Sequence, residues 1–125
     1  MNTINSYPNQ QIAFKSFLKP NKQVLDHFSE VVNGLTPENR DLFVQGIKEA
    51  VNKAKDCPVP ISHSMSHEYN SVYTPIVDGK AIRPTKTHKL MANYILDAMN
   101  IAVEKAENKA NADANMEKIC KIFNV

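Results

Sequence analysis

Between residues 56 and 86 the chain carries Pro58, Pro60, Pro75 and Pro84 together with Gly79. Proline has no N–H to give to a helix, and its ring clashes with the preceding turn, so no continuous helix crosses this stretch. On both sides of it apolar residues recur at helical spacing, and the break therefore separates two helical arms. The expected fold is all-α: an antiparallel four- to five-helix bundle in which a long, mostly non-helical insertion lies between the third and fourth helices.

The first arm begins with residues 1–8, which lack periodicity and read as a loose N-terminal arm. Asn9 is placed to cap a short helix bearing Ile12, Ala13, Phe14, Phe17 and Leu18, which Pro20 ends. From Asn21 a second helix sets Val24, Leu25, Phe28, Val31, Val32 and Leu35 on one stripe, with Gly34 as its C-terminal cap. Thr36-Pro37 then starts a third: the hydroxyl accepts from an orphan N–H, and proline fits the first helical position without losing a bond. Phe43, Gly46, Ile47, Ala50, Val51 and Ala54 share its face up to about Lys55, where Cys57-Pro58-Val59-Pro60 stops it.

The second arm repeats the pattern. Leu90, Met91, Tyr94, Ile95, Ala98, Ile101 and Ala102 line one helical face, with Thr85 or Thr87 available as a cap. Residues 107–115 are all Ala, Asn, Lys, Asp or Glu, so a break is expected there, before a last helix carrying Met116, Ile119, Cys120 and Phe123. Short connections between the early helices favour antiparallel packing, and nothing in the composition marks a second domain, so residues 1–125 are expected to form a single helical domain.

The interrupting segment keeps Val59, Ile61, Val72, Tyr73, Ile76, Val77 and Ile82, too apolar for a solvated linker. Val72 to Val77, Asp78-Gly79 and Lys80 to Arg83 have the form of a small β-hairpin, because Asp-Gly accepts the positive φ angles of a two-residue turn. Pro75 is expected to confine its strand to a sheet edge. Long connections of this kind are either functional or packed crossovers, which directs attention to 56–86 as the candidate working surface.

Composition narrows the function classes. A content of 42% hydrophobic and 22% charged residues is that of a globular chain. The net charge of +2 is too small to identify a nucleic-acid binder, and Asp41 and Glu49 interrupt the exposed Arg40, Gln45, Lys48 and Asn52 of the third helix, a poor match to a helix-turn-helix. The N-terminus lacks a secretory pattern, and Cys57 and Cys120 are expected as free thiols; a cytoplasmic location follows as the expectation, with a signal-less secretion route as its alternative. Arginine occurs only at Arg40 and Arg83 among many lysines, a bias matching an AT-rich bacterial or phage genome.

Three sets of residues carry potential chemistry. His63, His67, Cys57 and Glu68 contain ligands for a metal such as zinc, but the spacing lacks a paired motif, and the prolines nearby do not hold helical geometry; no metal and no cofactor are expected. Cys57 with His63 or His67 could form a thiolate–imidazole nucleophile, yet no orienting residue or oxyanion donors accompany them, so no catalytic residues are assigned. Lys80, Arg83, Lys86, His88 and Lys89 form a basic stretch without a carboxylate, running into a helix start whose partial positive charge they oppose.

These features favour a non-enzymatic, protein-binding regulator, an inhibitor or accessory factor that occludes a larger partner. Met65, Tyr69, Val72, Tyr73 and Ile76 supply apolar and aromatic anchors, while Lys80, Arg83, Lys86 and Lys89 meet an acidic partner surface. The alternatives are a phosphate or nucleic-acid binder using residues 80–89 and, last, a metal- or cysteine-dependent enzyme. A second copy of the chain is a further expected partner, since the apolar stripe of the first or last helix can pair between molecules.

Overall fold

In the computed structural model, which describes residues 16–66 and 71–125, the segment from 56 to 86 contributes the strands of a sheet against which the helices pack. The described residues form helices α1 (Lys22–Asn33), α2 (Pro37–Ala54) and α3 (Met91–Phe123), with strands β1 (Ile61–Met65), β2 (Tyr73–Val77) and β3 (Lys80–Ala81) between α2 and α3. The fold is thus mixed α/β, and the all-α four- to five-helix bundle expected from periodicity is incorrect. Backbone pairing between residues distant in the chain makes β1, and no helical pattern reports it.

The sheet is antiparallel in the order β1-β2-β3. Ile61 pairs with Val77 and Met65 with Tyr73, while Ile76 pairs with Ala81. Asp78 and Gly79 turn the hairpin at φ 53° and 75°, the positive angles their sequence predicts. Pro75, expected on an edge strand, lies in the central strand opposite His63. Its carbonyl accepts from the Ile82 N–H at 2.8 Å, so its ring nitrogen faces the same side, just past the end of β3. A missing donor does no harm where the neighbouring two-residue strand has already stopped.

At the outer edge of β1, Phe17 forms a parallel bridge with Ile61: the Leu18 N–H donates to the Ile61 carbonyl at 3.0 Å, and the Ile61 N–H donates to that of Ser16. The Ser16 hydroxyl reaches the Cys57 carbonyl. Phe17 and Leu18 are therefore extended, against the expectation of a helix through them; the rest of that expected helix and the loose arm lie outside the described residues.

The helix starts follow their sequence signals. Asn21 Oδ1 accepts from the Val24 N–H at 3.0 Å, and Thr36 Oγ1 from the Asn39 N–H at 3.2 Å. The Arg40 Nε–H donates to the Val32 carbonyl at 3.1 Å, tying α2 back to the end of α1. Neither Thr85 nor Thr87 caps α3; Leu90 holds the cap position, and no side chain bonds there.

One core joins these elements. Ile61, Met65, Tyr73 and Val77, which share a sheet face by their two-residue period, cluster with Val24, Phe43, Ala50 and Ala54 and with the α3 stripe Ala92, Ile95, Ala98, Met99, Ala102, Val103 and Ala106. Gly46, Ala50 and Ala54 repeat every fourth residue along α2, and small residues there let α3 approach closely. A Cβ at Gly46 would stand 2.7 Å from a Leu96 methyl group.

The break expected within residues 107–115 does not occur: α3 runs unbroken to Phe123. Alanine, lysine and glutamate are strong helix formers, and Lys109–Asp113 at 2.8 Å and Glu117–Lys121 at 3.3 Å are i,i+4 pairs that support the turns. Asn124, at φ 60°, ends the helix with its N–H turned back to the carbonyls of Cys120 and Lys121.

Candidate functional site

The basic stretch and the start of α3 enclose a surface groove of about 400 Å³ lined by Val72, Arg83, His88, Lys89, Met91 and Tyr94. Val72 enters from the residue before β2, Arg83 from just beyond β3, and the others from the entry and first turn of the long helix. Half-buried Val72 and Tyr94 with exposed Met91 make an apolar floor, and exposed Arg83 and Lys89 stand at its rim.

Local bonds fix this arrangement. His88 Nε2 lies 2.8 Å from Asp97 Oδ2, so the imidazole is held across the first turns of α3. Its ring meets Tyr94 edge-on, with centroids 6.5 Å apart. Arg83 Nη2 donates to Ser66 Oγ at 3.4 Å, linking the rim to the end of β1. The α3 start has neither a side-chain cap nor an acidic residue in its first turn, so the partial positive charge of the helix end adds to that of Arg83 and Lys89 in the groove.

The structure sorts the sequence-derived interface residues unevenly. Val72, Arg83 and Lys89 converge on the groove, and exposed Lys86 lies three residues before Lys89. Lys80 pairs with Val77 at the hairpin end, the far end of the sheet from Val72. Ile76 is half-buried within β2, and Tyr69 lies outside the described residues. Met65 and Tyr73 correct the expectation directly: Tyr73 is fully buried and Met65 is 7% exposed, so both anchors belong to the core and not to a surface. An apolar residue within an unrecognised strand faces the core as readily as a partner, and exposure depends on which strand pairs with it.

Met91 and Tyr94 are groove residues to which spacing alone gives no role in binding, and His88 enters only through the basic stretch of the phosphate or nucleic-acid alternative. Met91 and Tyr94 share a helical face with the core residues by period: at 100° per residue Met91 falls between Ile95 and Ala98, within the buried stripe, and Tyr94 just beyond Ala98 at its edge. Spacing therefore gives no signal for Met91 and marks only Tyr94 as a margin.

The other candidate chemistry disperses. His63 packs against Phe17 and Tyr73, with ring centroids at 5.1 and 5.7 Å. Burial pulls its imidazole down to about 4, the Leu18 backbone working weakly in the other direction. Cys57 is a buried free thiol and Cys120 a partly exposed one. Among the described residues no three His, Cys, Asp or Glu side chains gather as metal ligands; His67 and Glu68 are outside them. A second, shallower hollow of about 650 Å³ runs along α2 beside Ile47 and Val51, but its charges, Lys48, Glu49 and Lys55, are of mixed sign and do not converge.

No family model, curated protein or solved structure matches this chain. A functional reading therefore rests on the groove. No helix among the described residues is long and apolar enough to cross a membrane.

Proposed function

We propose that this protein is a non-enzymatic, protein-binding regulator that docks an acidic segment of a larger partner in the groove at the start of α3 and occludes it. The observation that carries this reading is the pairing of an apolar floor, Val72, Met91 and Tyr94, with a cationic rim, Arg83 and Lys89. Such a surface takes an apolar anchor flanked by carboxylates: the anchor is desolvated on the floor, and the rim steers approach and fixes orientation. Lys86 extends the positive field beyond the groove.

The uncapped α3 start favours a second reading, in which the same cations hold a phosphate or nucleic acid. The two differ in what they ask of the floor. Polyanion binding depends on salt and charge, whereas a protein anchor depends on Met91 and Tyr94 as well.

The test is affinity capture from a native lysate of the source organism with wild type, Lys89→Glu, Tyr94→Ala and, as a control on α2, Lys48→Glu. Capture of one protein that is lost in both groove variants and kept in the control is the expected result. Retention of every captured protein in Lys89→Glu and Tyr94→Ala would sink the proposal. Binding to heparin that falls with Lys89→Glu, ignores Tyr94→Ala and collapses with salt would favour the second reading.

A further inference from the structure

Asp97 is the first carboxylate in the chain after Asp78, and its partner is a groove residue: Oδ2 lies 2.8 Å from Nε2 of His88. Both side chains are half-buried. Asn93, Asn100 and Ile101, one turn from Asp97 along α3, carry no charge, so the imidazole is what balances this carboxylate.

The contact fixes what the ring can offer a ligand. A carboxylate only accepts, so a neutral His88 carries its proton on Nε2 and keeps a bare lone pair on Nδ1. Nδ1 becomes a donor only when the ring takes a second proton, and with it a positive charge. The rest of the groove is electrically constant. Arginine and lysine are cationic and a phenol is neutral throughout the physiological range, so Arg83, Lys89 and Tyr94 give a fixed field, to which Val72 and Met91 add nothing. Lys86, outside the groove, adds one more fixed cation. Histidine is the side chain whose charge changes within that range, and His88 is the histidine that lines the groove.

On the reading that the groove docks an acidic segment, we propose that His88 reads a carboxylate of that segment and that docking takes up one proton on its Nδ1. Against a partner's carboxylate the neutral ring sets lone pair against lone pair, whereas the protonated ring donates a charge-assisted hydrogen bond. Asp97 acts through His88 as a positioning residue. It balances the charge that the ring gains, and by accepting from Nε2 it keeps the neutral ring from turning a donor toward the ligand. Affinity is greatest where His88 is charged and falls as pH rises, by at most about tenfold per pH unit for one proton.

The test uses the full chain and a blocked peptide of one leucine flanked on each side by glutamates. NMR at the Met91 and Tyr94 amides follows its binding from about pH 5.5 to about pH 8, where ordinary carboxylates stay ionised. The dissociation constant should rise across this range, and at its alkaline end the peptide should move the His88 ring resonances toward the protonated form. His88→Gln, which supplies an amide donor at any pH, should flatten the profile, and so should Asp97→Asn, which lets either ring nitrogen donate. Binding at Met91 and Tyr94 that is indifferent to pH in wild type overturns the proton uptake and leaves the docking function in place. So does a pH profile that survives His88→Gln. Absence of any shift at Met91 and Tyr94 at every pH overturns both, and a heparin fragment that gives the profile where the peptide gives none overturns the carboxylate as what His88 reads.

Discussion

The Tyr73 hydroxyl lies 2.7 Å from Nδ1 of His63, and the two rings stack at 21° inside the core. Burial pushes the phenol's pKa up and pulls the imidazole's down to about 4, so both groups are neutral, and in the tautomer that carries its proton on Nε2 the histidine accepts from the Tyr73 hydroxyl. Phe28 meets the other side of Tyr73 edge-on at 5.1 Å, which joins the pair to α1. This contact occupies two residues that sequence patterns suggest for chemistry and for binding.

His63 makes stability depend on pH. In the unfolded chain it takes a proton below its ordinary value of 6.5, while in the native state it refuses one down to about 4. Its contribution is complete above 6.5 and is lost as pH falls through that window, to a total of about 3 kcal/mol. His27, also held down by burial, acts in the same direction. Urea unfolding from about pH 7 to about pH 4.5 should show this slope, and His63→Phe should flatten it relative to wild type.

Tyr73→Phe keeps the aromatic contacts and removes one donor. The buried Nδ1 is left without its bond, which should cost about 1–3 kcal/mol in chemical denaturation. The neutral imidazole loses its stabilising partner as well, so the His63 pKa should rise from about 4, readable by NMR titration. A native variant with an unmoved His63 titration would contradict the assigned direction of the bond.

Gly79→Ala tests the hairpin turn. Gly79 sits at φ 75° with open space where an added methyl group would stand, so any penalty comes from backbone conformation and not from collision. A non-glycine residue in this region costs about 1–2 kcal/mol, and the midpoint of urea unfolding should fall accordingly with an unchanged slope.

Gly46 and Leu96 should be energetically coupled. Alanine at 46 gains about 1 kcal/mol of helix propensity but meets the Leu96 methyl groups at 2.7 and 2.8 Å, which can move only by rotating a half-buried side chain. Gly46→Ala alone should therefore lie near neutrality, and the same change in a Leu96→Ala background should stabilise by about 0.5–1 kcal/mol relative to that background. A double-mutant cycle measures the difference, and a coupling near zero would contradict the contact.

Much of the local structure was legible. Asn21 and Thr36-Pro37 start helices because their side chains and backbone act within one turn, and Asp78-Gly79 turns a hairpin for an equally local reason. The candidate site was legible in part: the basic exit at Arg83 and Lys89 stands where the sequence put it, beside a helix start. Of its floor only Val72 was, because Met91 and Tyr94 belong to the helical stripe by spacing and become surface only where the sheet and α2 leave the margin uncovered.

By itself the sequence determined where α1 and α2 begin, where prolines forbid helix and where the chain reverses, since each of these depends on residues within a few positions of one another. Tertiary structure alone decided that Ile61–Met65 is a strand, that Phe17 joins its edge, that Pro75 is tolerated in the central strand and that Tyr73 is core. The physical reason is the range of the interaction. A strand's ladder and its buried face are set by partners that the chain brings from elsewhere, whereas a helix bonds and caps itself.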